Sequence, residues 1–238
     1  MSEGRTAELG AALAAVRDRI ATACSAAGRD PAEVTLVVVT KTFPTADVAR
    51  LADLGVTDVG ENRDQEAAVK ADALADRGLR WHFVGQLQRN KARSVAAYAD
   101  LVHSLDRPRL VGALDRAADA AGRRVDVLVQ VDLSGPLDPT STESRGGAAP
   151  DDVLALADAV ASSAGLRLRG VMAVAPRDAD PAVAFGRLAT CSRVLREQHP
   201  EAAWISAGMS GDLEQAVDAG ATHLRVGSAI LGRRPPLE

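Results

Sequence analysis

The chain has 238 residues, 47% of them hydrophobic and 25% charged, with a formal net charge of −4. That composition supplies a sizeable core and excludes disordered and fibrous classes, while a pI near 5.6 gives no electrostatic footprint for nucleic acid or an anionic membrane. No apolar run approaches the ~20 residues that span a bilayer, and the opening MSEGRTAELG has no leader character, so a cytoplasmic protein is expected. Cys24 and Cys191 lie in Ala-rich helical stretches without CxxC spacing, which argues against a zinc site or a disulfide framework.

In chain order, a helical pattern over 6–27 precedes a uniformly apolar β-run at 36–40. Further β-runs fall at 56–60, 80–84, 101–103, 125–131, 168–175, 204–207 and 223–226. Amphipathic helices are predicted between them at 46–54, 63–75, 109–121, 151–164, 181–198 and 213–219, with Gly55, Gly78, Gly122, Gly165 and Gly220 at their ends. A helix also begins near Asn90 and ends at Tyr98. Strict alternation over about the typical length of the class predicts a single α/β domain, a (β/α)8 TIM barrel with an extra N-terminal helix, in which 1–5 and 234–238 are flexible; a doubly wound sheet is the second choice. The polar, Gly/Pro-rich stretch 134–150 reads as a solvated loop, with a lid as the alternative. No GxGxxG or GxxxxGK[ST] follows a strand.

In a parallel barrel the functional groups gather at the C-terminal strand ends. These are Lys41, Asn62, His82 and His103, then Ser206, Gly208, Met209 and Ser210, and finally Arg225, Gly227 and Ser228. The last two segments combine glycines, hydroxyls and helix starts, which together make an anion cradle, although Ser210 and Ser228 as helix caps and Arg225 in a structural ion pair remain alternatives. Only three lysines occur: Lys70, four residues after Glu66, reads as a solvated helix face; Lys91 as a surface residue or an anion contact; and Lys41 closes an apolar strand, where a charge needs a reason. An amine there, facing a phosphate site, suggests pyridoxal 5′-phosphate, because an amine can deprotonate and attack an aldehyde and a guanidinium cannot. The plain alternative is a lysine snorkelling from a strand tip. Asn62 either faces a ligand or caps the next helix, His82 lines the lumen, His103 is a site or a structural histidine, and His199 and His223 read as helix-end and exterior residues.

The motifs VVVTKTFP, GEN, WHFVGQLQRNK, HSLD, LRGVMA, GMSGDLE and RVGSAILG, spread from Leu9 to Arg233, resemble those of the pyridoxal phosphate homeostasis proteins, also called YggS-like or proline synthase co-transcribed proteins. The resemblance implies a barrel like the N-terminal domain of alanine racemase, with Lys41 carrying pyridoxal phosphate as a Schiff base. It also implies phosphate contacts from Met209-Ser210 and Gly227-Ser228, and Ser206, Asn62 and Arg225 around the ring. Phe43 stands where the family's second lysine is usual, Arg145 where a Lys-x-Gly lysine is common, and Leu231 where an aromatic is frequent. With Ser206 or Arg225 rather than an acid as the expected neighbour of the ring nitrogen, the expected role is a carrier that supplies the cofactor to apo-enzymes as transient partners without catalytic turnover, and the lack of an evident exposed apolar stripe suggests a monomer. A racemase or decarboxylase on the same barrel is the alternative, and it would need a second acid/base that Tyr98, the one tyrosine, is badly placed to be. A phosphate-binding barrel without cofactor is the third reading.

Overall fold

In the computed structural model, which describes residues 2–134 and 146–232, eight parallel strands close into a barrel in sequence order. They are β1 (Thr35–Val39), β2 (Asp58–Glu61), β3 (Arg80–Phe83), β4 (Leu101–Leu105), β5 (Val125–Gln130), β6 (Leu166–Met172), β7 (Trp204–Ser206) and β8 (His223–Val226). Closure comes from β1, which sets Val39 beside Gly60 of β2 and Val38 beside Val226 of β8. The surrounding helices are α1 (Ser2–Ala26), α2 (Thr45–Asp53), α3 (Asp64–Ala73), α4 (Ala92–Tyr98), α5 (Pro108–Ala120), α6 (Val153–Ala161), α7 (Pro181–Gln198), α8 (Leu213–Asp218) and a short α9 (Ser228–Leu231). The barrel and its extra first helix are thus as the alternation predicts. Arg145, most of the 134–150 loop and residues 234–238 lie outside the described residues.

The main apolar core is the layer between strands and helices. Helix α1 shows why: Leu9, Leu13, Val16, Ile20 and Cys24 recur every three or four residues, and all five are buried on one face. The same helix begins at Ser2, where the sequence suggests loose residues, and Arg5 is tied to Asp47 at 2.9 Å and to the Leu231 carbonyl at 3.0 Å. Of the five glycines expected at helix ends, Gly165 alone keeps an ordinary φ; its N–H instead donates to Asp115 Oδ1 at 2.8 Å.

Inside the barrel the chemistry reverses. Only Leu101, Leu128, Met172 and Trp204 form an apolar cluster apart from the main core, whereas Asp58, His82, His103, Ser206, His223 and Arg225 are all buried polar groups. A bond from His103 on β4 to Ser206 on β7 (2.9 Å) joins strands three apart around the ring, which is possible only across the lumen. The reading of His223 as an exterior residue is therefore corrected: it packs 4.6 Å from the Trp204 ring and within 6.5 Å of both lumen histidines.

Lys70 is the second correction. It is buried, and its Nζ donates to Glu61 Oε1 at 2.5 Å and to the Thr40 carbonyl at 2.9 Å. The i to i+4 spacing to Glu66 is present, but α3 turns this face inward against the ends of β1 and β2, so Glu61 rather than Glu66 takes the charge. Removing one partner of such a pair strands the other without solvation. Lys70→Ala is expected to lose about 3–5 kcal/mol in denaturant unfolding, and the double variant Lys70→Met/Glu61→Gln to recover much of that loss.

Candidate cofactor site

Lys41 leaves the end of β1 half-buried, on backbone that its neighbours hold from several sides. Thr40 before it donates its hydroxyl to Glu61 Oε1 at 2.7 Å and accepts Lys70 on its carbonyl. Thr42 after it takes a left-handed φ of 68°, unfavourable for a β-branched residue, and its N–H is caught by Glu66 Oε2 at 3.0 Å. Burial raises the Glu61 carboxyl above its ordinary range against the pull of Lys70, while Glu66 stays below its own because the bonds from Thr42 and Arg63 outweigh burial. The backbone on either side of Lys41 is thus held by three charged side chains from β2 and α3.

Asn62 stands on the next strand end. It caps nothing: α3 starts at Asp64 with Arg63 in the cap position and no side-chain cap bond. Its Oδ1 is buried without a protein partner, an arrangement that costs a few kcal/mol unless something else bonds it. Gly85 lies so close that a Cβ there would sit 2.3 Å from the Asn62 carbonyl oxygen, so the turn after β3 holds Asn62 in place.

Across the closure, the loop after β7 folds over the start of α9. Gly208 has φ 86°, and a Cβ on it would collide with Ala216 and Leu224; its carbonyl accepts the Arg225 N–H at 2.9 Å. The Met209 N–H goes to Asp212 Oδ1 at 2.6 Å, and the Met209 side chain is exposed. Ser210 and Ser228 bring their hydroxyls to 3.2 Å of each other, and Ser210 Oγ also accepts from Ala229 N at 3.3 Å. Gly227 packs against β1: a Cβ there would be 3.0 Å from the Val39 carbonyl. Arg19 of α1 steadies the loop from behind, donating to the Ser210 carbonyl at 3.2 Å and to Glu214. Neither serine is the cap residue of α8, which is Asp212, but Ser210 accepts an N–H from the first turn of α9, where Gly227 offers no side chain.

Arg225 forms no ion pair among the described residues. It is buried and donates to Ser206 Oγ at 2.6 Å and to the Ala173 carbonyl at 2.8 Å; desolvation pulls it down to about 10. Ser206 Oγ meets His103 Nδ1 at 2.9 Å, His103 Nε2 meets His82 Nδ1 at 3.0 Å, and His82 Nε2 meets Asp58 Oδ1 at 2.8 Å. His82 does line the lumen, but both its nitrogens are taken by protein. It therefore reaches the mouth only through His103 and Ser206, not as a direct ligand contact. Burial, His82 and Arg225 push His103 well below the ordinary histidine value, and burial brings His223 to about 3. Burial alone would raise the Asp58 carboxyl, but bonds from His82 and Thr57 hold it below its ordinary value. Sequence reasoning misses Asp58, Glu66, Lys70, Gly85 and Arg19; for Asp58 the signal was a carboxylate inside a short β-run that ought to be apolar. Lys91 pairs with Asp64, the first residue of α3, at 3.5 Å.

A barrel of this topology with a lysine and a hydroxyl-glycine cradle on its two closing strands is of the alanine racemase N-terminal type, and that domain's family profile matches residues 12–235. The pyridoxal phosphate homeostasis protein of Mycobacterium tuberculosis is 45% identical over 246 aligned positions, covering 97% of this chain and 94% of that protein. An unknown protein from Bifidobacterium adolescentis superposes with a TM-score of 0.88 at 31% identity, covering 97% of each chain. PipY of Synechococcus elongatus, solved with pyridoxal phosphate bound, gives 0.78 at 31% identity, over 94% of this chain and all of that one. The chain belongs to the alanine racemase N-terminal domain family and, within it, to the pyridoxal phosphate homeostasis proteins.

The lumen histidines make stability acid-sensitive. Because His103 and His223 are depressed in the fold, the unfolded chain binds more protons below about pH 6.5, and each histidine then costs up to about 1.4 kcal/mol per pH unit as pH falls towards the folded value. Urea midpoints are expected to drop steadily from pH 6.5 to 4, and His223→Asn to flatten that slope by roughly half.

Proposed function

We propose that this protein holds pyridoxal 5′-phosphate on Lys41 as a Schiff base and supplies it to apo-enzymes, without processing a substrate of its own. One observation carries the reading: closure of the barrel sets the Lys41 strand end against Gly227 and the Ser210–Ser228 hydroxyl pair, as a short molecule with an aldehyde at one side and a phosphate at the other requires. The chain's buried groups fit that molecule. Among the described residues Asn62 Oδ1 has no protein partner and Arg225 bonds to no carboxylate, and glycines keep the cradle's backbone open to an anion.

When bound, the cofactor supplies an aldehyde that condenses with an amine, releasing water, and a phosphate that anchors it. Lys41 provides the amine, and the Thr40–Glu61–Lys70 contact fixes where it emerges. Ser210, Ser228 and the Ala229 N–H bind the phosphate; Asn62, Ser206 and Arg225 surround the ring.

Holding is favoured over turnover by what flanks the ring. A carboxylate against a ring nitrogen would keep it protonated and electron-withdrawing, whereas Arg225 and Ser206 hydrogen-bond to no carboxylate among the described residues. Tyr98 is no second acid/base: it ends α4 on the outside of the barrel, beside Trp81 and Leu74, with a buried hydroxyl whose pKa is raised by desolvation.

Purified protein incubated with pyridoxal 5′-phosphate is expected to turn yellow and, after borohydride, to carry the fixed adduct on Lys41 by mass spectrometry, with Lys41→Ala carrying none. Ser210→Ala and Ser228→Ala are each expected to weaken uptake by about 10-fold, the worth of one charge-assisted hydrogen bond. An adduct elsewhere in Lys41→Ala, or chirally resolved amino-acid turnover well above that of free cofactor, overturns the reading.

A further inference from the structure

The lumen column has a direction. A guanidinium has no acceptor, so Arg225 must donate to Ser206 Oγ. Two proton arrangements then satisfy the remaining bonds. In the first, the Ser206 hydroxyl donates to His103 Nδ1, His103 Nε2–H donates to His82 Nδ1, and His82 Nε2–H donates to Asp58, with both histidines neutral. In the second, His103 Nδ1–H donates to Ser206 and His82 Nδ1–H donates to His103. His82 Nε2 still faces the Asp58 carboxylate at 2.8 Å and must also carry a proton, so His82 is an imidazolium. The arrangements differ by one proton on His82 and by the sense of the Ser206 hydroxyl. In the first, Ser206 has a lone pair left for a donor at the mouth; in the second, its own proton is free to donate there.

We infer that His82, acting through His103 and Ser206, exchanges one proton with a basic ring nitrogen held against Ser206 and Arg225, so that the Asp58–His82 pair sets that nitrogen's protonation from the far side of the barrel. The inference rests on the cofactor reading above. Its balance is three hops: a ring N–H proton passes to Ser206 Oγ, the Ser206 proton to His103 Nδ1, and the His103 Nε2 proton to His82 Nδ1. The ring nitrogen ends neutral, accepting from Ser206, and His82 ends cationic against Asp58. No proton enters or leaves, and the histidines and Asp58 are positioning residues with no contact of their own to the ligand.

The surroundings single out His82. It is faced by Asp58 from β2, His103 from β4 and His223 from β8, with Arg80 on its own strand 3.5 Å from Asp58. Arg225 bears on His103 and Arg169 on His223, and burial adds to both, so those two rings stay neutral. Of the three lumen histidines, His82 alone touches a carboxylate among the described residues. Asp58 also borders a cavity of about 350 Å³ with Arg17, Thr57 and Gly55 at the opposite rim of the barrel, so the acidic end of the column does not lie at the mouth.

The test is NMR of the full chain with ¹⁵N-histidine, ligand-free and loaded with pyridoxal 5′-phosphate, beside a visible-absorbance pH titration of the loaded protein. Ligand-free at neutral pH, His82 and His103 are both expected as Nε2–H tautomers. Loaded, the His82 Nδ1 resonance and the absorbance transition are expected to move together with pH, and His82→Gln to shift the absorbance transition by about one pH unit or more. A His103 Nδ1–H tautomer beside a neutral His82, a loaded His82 that does not titrate with the chromophore, or an unmoved midpoint in His82→Gln overturns the inference. If His82→Gln fails to fold, co-titration in the unmodified protein decides. Absence of a Lys41 adduct would sink the cofactor reading instead, and the ligand-free tautomers would then judge the column alone.

Discussion

The pairing of β1 with β8 is the constraint on which this architecture rests. It is a contact between the first and last strands of the barrel, and it sets Val38 beside Val226 and Gly227 against Val39, two residues before Lys41. Neither half has a ligand geometry without it. The pairing also closes the lumen, and a closed lumen is what allows His103 and Ser206, three strands apart, to bond directly.

The interior follows from this closure in an unexpected way. Barrel lumens are commonly filled by branched apolar side chains in layers, and here the cluster of Leu101, Leu128, Met172 and Trp204 shares the space with the buried polar groups Asp58, His82, His103, Ser206, His223 and Arg225. Each polar group is tolerated because it has a partner: Asp58 with His82, His103 with Ser206, Ser206 with Arg225. The exceptions sit at the mouth. Among the described residues Asn62 Oδ1 lacks a protein partner and Arg225 bonds to no carboxylate. Outside the lumen the same accounting explains the Glu61–Lys70 pair, two buried charges whose mutual contact holds the backbone that leads into the lysine.

Much of this is legible in the sequence, and the reason is physical. Fully buried parallel strands read as apolar runs and helices as 3.6-residue stripes, so all eight strands and the order of the barrel come through. Lys41 stands out because its charge breaks such a run. The glycine-serine segments stand out because few other functions need both residue types at a strand end. What stays hidden depends on which way a side chain turns. Lys70 carries the spacing of a surface pair, yet α3 faces it inward; His223 opens a strand that alternates equally well in either phase. Asn62 has the residue type and position of a helix cap, and only the start of α3 two residues later reveals that it caps nothing. Tertiary contacts made by Arg19 and Gly85 leave no trace in a one-dimensional pattern.

The grip of α1 on the end of the chain bears on how the protein is made. Arg19 holds the carbonyl of Ser210 and Arg5 that of Leu231, so a segment made early is fastened to one made late. During synthesis α1 must therefore wait, with its apolar stripe uncovered, until α8 and α9 have emerged. The mouth between β1 and β8 cannot close before that moment, because β8 and α9 follow every other strand in chain order.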